Sequence, residues 1–482
     1  MVFSSLSFLF LFLPLCLICY FLVPKQKVSL RKYILLLFSL IFYSCGEPLY
    51  VFVMMVTVAI TFLFSYKIEK HSKIALTLSI CFVLFPLILF KYLNFIIDNL
   101  NVIFGFNISA IHLTMPIGIS FYTFQILTYI IDLYRGRIFR QKNVGYLALY
   151  IFLFPQLIAG PIVRYADIET SLTGCYESRE KILEGSRRFI IGLAKKVLIA
   201  NQVGFIVSKI GEMPLSQIGT AMMWLSAIAF TVQIYFDFSG YSDMAIGLGK
   251  IFGFDFKENF NLPYISTSIS EFWKRWHISM STFFRDYVYI PMGGSRCSFG
   301  RWIFNMLIVW MIIGLWHGAK WNFVTWGLYF AILLITEKVI VKIYDLIFKK
   351  STNSKLKIFI HVSNYFITFS LIVIGNNIFM HDTNSFAEIL YYLQRLFYQN
   401  EIVNPVYIRS LELQSYIPYC LIGLVLSSPL VVIFSRIKKY AYPNCIIVSS
   451  KIVNDVFLIT IFILSIIFIV EDNYNPFIYF RF

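Results

Sequence analysis

The stretch VFSSLSFLFLFLPLCLICYFLV, residues 2–23, is followed at once by PKQKVSLRK, residues 24–32. A secretory signal carries its positive charge ahead of the apolar core. Here Lys25, Lys27, Arg31 and Lys32 come after it. About 20 apolar residues suffice to cross a bilayer, and basic flanks favour the cytoplasmic side. The segment is therefore expected to stay in the membrane, with its N-terminus outside and its basic flank inside. The same alternation of apolar run and basic cluster recurs along the chain and decides the fold class.

Working outward, residues 33–45 and 49–66 read as a hairpin around Gly46-Glu47-Pro48, returning to Lys67, Lys70 and Lys73. Residues 74–90 lead out to a weakly polar loop through Asn94, Asn99, Asn101 and Asn107, and 116–133 lead back to Arg135, Arg137, Arg140 and Lys142. The run 146–158 is short and ends on Gly160-Pro161; it either crosses or enters and turns back, which requires cover for the freed backbone groups. Residues 179–196 are basic and amphipathic, and are expected on the cytoplasmic surface. Residues 221–238, a glycine-rich piece at 244–254, and 302–316, 323–341, 358–379, 417–434 and 453–470 complete the apolar runs, with 342–357 and Arg436, Lys438 and Lys439 on the inner side. The expected architecture is all-α and polytopic, one membrane-embedded domain over 1–482 with about eleven transmembrane helices plus re-entrant or interfacial pieces, both termini extracytoplasmic.

Composition agrees. Hydrophobic residues make up 59%, charged residues 14% and aromatics 19%, and mean hydropathy is +0.75, which excludes an ordinary soluble domain. The 41 Lys and Arg against 25 Asp and Glu give a net charge of +16. The basic residues cluster between apolar runs, so the partner they imply is the lipid surface of the inner leaflet, not nucleic acid. The eight cysteines are scattered. Cys16-x-x-Cys19 lies inside an apolar run without further ligands, and reads as two small buried hydrophobes; no metal site is expected.

The chemistry gathers in the motif core 235–326. Ionisable residues at membrane depth are costly, and function is the default explanation for them. YFDFSGYSD, residues 235–243, places Asp237, Ser239, Ser242 and Asp243 there; the competing explanation is helix-to-helix bonding with a tight turn at Gly240. EFWKRWHISMSTFFRDYVYIPMGG, residues 271–294, reads as one interfacial helix with Trp273, His277 and Ser281 stacked at i, i+4 and Trp276 beside them, ending before Pro291 in a Gly293-Gly294 turn. His317 follows fifteen uncharged residues, 302–316, and lies between Gly314 and Gly318, which leave room for another backbone or a ligand. A neutral imidazole can take a proton from a hydroxyl near neutral pH, and burial favours the neutral form. No G-x-S-x-G, P-loop or H-E-x-x-H motif is present. Buried-histidine acid/base chemistry therefore stands slightly ahead of transport.

The run FDFSGYSDMAIGLGKIFGFDFKENFNLPYISTSISEFWKRWHISMSTFFRDYVYIPMGG, residues 236–294, with GLWHGAKWNFVTWG, residues 314–327, resembles the signature of the membrane-bound O-acyltransferases, the MBOAT family. PIGISFYTFQ at 116–125, FPQLIAGPIVRY at 154–165 and NPFIYFRF at 475–482 are similar to its bacterial branch of alginate and peptidoglycan O-acetylation and teichoic-acid D-alanylation proteins. The resemblance implies a ring of helices around a thinned centre, with His317 as the essential histidine and His277 as the second motif histidine. It also implies a cytoplasmic thioester donor such as acetyl-CoA as co-substrate with no bound cofactor, an extracytoplasmic polysaccharide or peptidoglycan acceptor, and an extracytoplasmic partner protein. Asp237, Ser239, Asp243, Trp273, Trp276, Ser281 and Trp316 are the candidates for its substrate tunnel. D-alanyl transfer from a carrier protein, lipid O-acylation and, outside enzymes, transport remain alternatives. One departure is GNNIFMHD, residues 375–382, where relatives carry Trp-x-x-Phe-Arg; it bears on acceptor or partner contacts and leaves the catalytic assignment untouched.

Overall fold

The computed structural model describes residues 1–111, 113–158, 160–214, 218–347, 354–398, 413–432, 447–471 and 478. Among them all regular structure is helical. Eight helices are long and apolar enough to cross a membrane: Tyr50–Glu69, Lys73–Phe104, Arg179–Gly211, Thr220–Ile251, Phe299–His317, Trp321–Ile343, Phe359–Met380 and Ile452–Glu471. Two shorter apolar helices, Phe8–Leu22 and Leu413–Ser427, accompany them. The runs at 33–45 and 116–133 form helices of 17 and 16 residues, Val28–Ser44 and Ile119–Tyr134. The run at 146–158 breaks at Leu153 into helices of 9 and 4 residues, Val144–Phe152 and Phe154–Leu157, with Pro155 opening the second. The inner cluster Arg436, Lys438 and Lys439 and most of the closing 475–482 motif lie outside the described residues.

Two expectations are corrected. The basic stretch at 179–196 is not a separate surface helix but the first half of the 33-residue helix Arg179–Gly211. Its charges are neutralised by neighbours: Arg188 pairs with Asp243 at 2.8 Å and also meets Glu258, and Lys196 pairs with Asp237 at 2.6 Å. Nor is there a tight turn at Gly240. Residues 220–251 are one continuous helix of 32 residues, and Gly240 serves a close helix crossing instead. A Cβ on Gly192 would come within 2.5 Å of the Gly240 carbonyl oxygen, and one on Gly247 within 2.5 Å of the Gly185 carbonyl oxygen.

The chain forms two compact units. One comprises Met1–Leu193, Gly240–Glu258 and Ser465–Phe482; the other comprises Ala194–Ser239 and Asn259–Leu464. The first holds the glycine crossing and a buried ion pair between Arg31 and Glu177. Both motif histidines belong to the second.

Candidate active site

The helix Phe299–His317 ends on His317, and Gly318 continues in extended backbone at φ −167°. The chain then turns into the helix Trp321–Ile347. Glycines let the two helices touch: the position of a Cβ on Gly314 is taken by the Phe323 carbonyl, on Gly318 by the Phe323 ring and on Gly327 by the Trp310 carbonyl. Of the two occupants expected beside Gly314 and Gly318, another backbone or a ligand, the hairpin's own packing supplies the first: the Phe323 backbone lies against Gly314 and its ring against Gly318, which leaves no ligand space at either glycine. What they achieve is placement. His317, 2% exposed, is set against Trp316, Trp326 and Phe379 at ring-centroid distances of 4.7, 4.9 and 5.2 Å. Phe379 comes from GNNIFMHD, so that departure does reach the histidine.

The stretch 271–294 is not one helix. Ile269–Arg275 stops, Trp276 is extended, His277 takes a left-handed conformation at φ +43°, and Ile278–Phe284 begins a new helix. The i, i+4 stack of Trp273, His277 and Ser281 therefore does not exist. Backbone bonds from Asn261 N–H to the Arg275 carbonyl and from Ile278 N–H to the Asn259 carbonyl, both 2.9 Å, hold the break open. The Asn259 side-chain oxygen accepts from the Ser279 N–H at 3.1 Å and its hydroxyl at 2.9 Å. The expected Gly293-Gly294 turn is present, both glycines at positive φ.

The ring side chains of Trp273, Trp276 and His277 are buried in the protein, whereas Lys274 and Arg285 are exposed. His277 is 0% exposed, Trp273 packs on Trp310, Trp326 and Phe330, and Trp276 packs on Phe260, Tyr264 and Phe272. His277 lies edge-on to Phe238 at 4.6 Å and faces Trp316 at 5.8 Å. Trp316 thus contacts both histidines. Burial without a charged partner pushes the His277 imidazole down to about 3.

Of the other candidates, Ser281 is half-buried on the new helix and its N–H bonds the His277 carbonyl at 3.1 Å. Asp237 is the buried partner of Lys196, and Ser239 is buried two residues on. Asp243 belongs to the other unit, in the Arg188–Glu258 cluster. Sequence reasoning did not single out Asn259 or Asn322, both 0% exposed. Asn322 donates to the Phe379 carbonyl at 3.4 Å and holds that segment over the histidine hairpin. Buried polar atoms in this region, among them His277 Nε2, Asn259 Nδ2 and the indole nitrogens of Trp273 and Trp326, have no hydrogen-bond partner among the described residues. A buried polar atom left so is costly, and such atoms among aromatic side chains are what sites for polar substrates present.

Residues 142–379 match the model of the MBOAT, membrane-bound O-acyltransferase family. The chain is 42% identical over 350 residues to a probable alginate O-acetylase AlgI of Azotobacter vinelandii, covering 70% of this chain and 69% of that one. A probable AlgI of Pseudomonas aeruginosa is 39% identical over 389 residues, 79% and 72% of the two chains. A peptidoglycan O-acetyltransferase of Helicobacter pylori is 32% identical over 372 residues, 70% of each. The chain belongs to the membrane-bound O-acyltransferase family, and is a multi-pass membrane acyltransferase.

Proposed function

We propose that this chain moves an acetyl group from a cytoplasmic thioester, acetyl-CoA, to a hydroxyl of an extracytoplasmic polysaccharide or of a partner protein that completes the transfer. His317 is the general base. Its imidazole takes the proton as the hydroxyl oxygen attacks the thioester carbonyl; the tetrahedral adduct then expels the thiolate, which recovers the proton from the imidazolium. No bound cofactor takes part. The basic loops lie on the cytoplasmic side, where they attract the donor's phosphates, and both termini lie outside. The observation that carries this reading is the pair of buried imidazoles in contact with one indole, Trp316, in a chain similar to alginate and peptidoglycan O-acetylating proteins.

The test is purified protein with acetyl-CoA, a surface-glycan acceptor and any required partner, read by CoA release and by mass spectrometry of the glycan. His317→Ala should lower transfer by about 10²–10⁴-fold while membrane level and gel-filtration profile stay unchanged. A folded His317→Ala protein with near-normal transfer overturns the base. Release from a D-alanyl carrier protein and never from acetyl-CoA overturns the donor.

A further inference from the structure

The imidazole Nδ1 of His277 lies 3.2 Å from the side-chain oxygen of Asn259. Which end of that amide faces the ring is not arbitrary. The same oxygen accepts the Ser279 backbone N–H, and a backbone N–H can only donate. The atom at that corner is therefore an acceptor, and Nδ1 must supply the hydrogen between them. In a neutral imidazole the other nitrogen then carries the lone pair. That nitrogen, Nε2, is buried with no partner among the described residues.

We propose that Asn259 is a positioning residue: it fixes His277 as the Nδ1–H tautomer and so leaves Nε2 as the acceptor for an O–H or N–H of a bound substrate. The inference rests on the acyl-transfer reading above. Two further features agree with it. His277 is held at φ +43°, and an unfavourable backbone conformation of this kind persists where the surroundings impose it, often at functional sites. The rings against His277, namely Phe238 from the helix Thr220–Ile251, Phe260 from the Asn259 segment and Trp316 from the helix Phe299–His317, bring no titratable group of their own. His317 also contacts Trp316, and Lys274 and Arg275 precede His277 in its own segment. Nothing on those rings competes with Asn259 for the proton.

Asn259→Ala removes the acceptor, and transfer should fall by roughly 10² or more, as when the group holding a catalytic histidine's tautomer is lost. Asn259→Asp keeps an oxygen for His277, for the Ser279 N–H and for its hydroxyl, so it should fold and retain more activity than Asn259→Ala at alkaline pH. Its negative charge favours protonated His277, which converts Nε2 from acceptor to donor. The acidic limb of its pH–rate profile should therefore move upward from the wild-type position. A group that merely pins the loop would not move that limb. An Asn259→Asp profile superimposable on wild type, or a folded Asn259→Ala with near-wild-type transfer, overturns the proposal.

A readout independent of activity is the ring-nitrogen spectrum of ¹⁵N-histidine-labelled protein. The His277 signals, identified by their loss in His277→Gln, should show a protonated Nδ1 and a bare Nε2, and this pattern should change in Asn259→Ala. A protonated Nε2 in the wild type overturns the proposal even if transfer is confirmed. The expected pattern in a wild-type protein that transfers no acetyl from acetyl-CoA would fault the donor assignment and not the role of Asn259.

Discussion

Buried imidazoles tie this protein's stability to pH. Burial lowers His277 to about 3 and His381 to about 4, against an ordinary 6.5. Both are neutral in the folded chain, whereas the unfolded chain binds protons on its histidines as pH falls below 6.5. The unfolded state then holds more protons, so stability declines with falling pH. The penalty is absent above 6.5, grows below it, and is complete only below about 4 for His381 and about 3 for His277. Detergent-solubilised protein should unfold at a lower temperature at pH 5 than at pH 7.5. His381→Gln, which removes one of the two groups and retains a polar side chain beside Tyr392, should show a smaller drop. Equal drops in the two proteins would remove His381 from the account.

Between helices the controlling features are small. The crossing of Arg179–Gly211 with Thr220–Ile251 relies on Gly192 and Gly240 at one level and Gly185 and Gly247 at another. Gly192→Ala drives a methyl into the Gly240 carbonyl and Met244 backbone, and overpacking of this kind costs about 1–3 kcal/mol. Gly300→Ala, in a helix with open space around it, should be neutral or slightly stabilising, because alanine is the better helix former. Thermal unfolding of the two variants side by side checks this; equal midpoints would mean the crossing is not tight. Neither crossing was legible along the chain. A glycine in YFDFSGYSD looks like a turn until its partner, Gly192, is known. The break at Trp276–His277 was equally hidden, because no Gly or Pro marks it and the group that imposes it, Asn259, lies eighteen residues upstream. Helix periodicity reports local preference, and here a tertiary contact overrides it.

For the molecule as a whole, hydropathy and charge carried far. Apolar runs and basic flanks located most of the spans, because burial in lipid forces long stretches to be uniformly apolar. They failed where charges are paired inside: the basic stretch beginning at Arg179 looked superficial only because Asp243 and Asp237, the partners of Arg188 and Lys196, lie far along the chain. His317 was legible as an ionisable residue closing an apolar run and His277 as a histidine beside tryptophans on an interfacial helix, but their shared contact with Trp316 was not. The orientation proposed from the basic loops is open to labelling. In a version with all eight cysteines replaced, a cysteine at Asn107 should react with an impermeant maleimide on intact cells, whereas one at Lys142 should react only after permeabilisation. The opposite pattern would invert the topology.

The left-handed backbone at His277 carries an evolutionary cost. An L-residue other than Gly, Asn or Asp gives up about 1–2 kcal/mol in that conformation, so selection for stability alone would not keep a histidine there. Asparagine tolerates the geometry and can offer a side-chain amide N–H to Asn259 in place of Nδ1–H. His277→Asn should therefore hold or raise the unfolding temperature while acyl transfer falls, the trade-off expected where a strained residue is retained for activity. A variant that loses stability and activity together would mark His277 as a packing residue first.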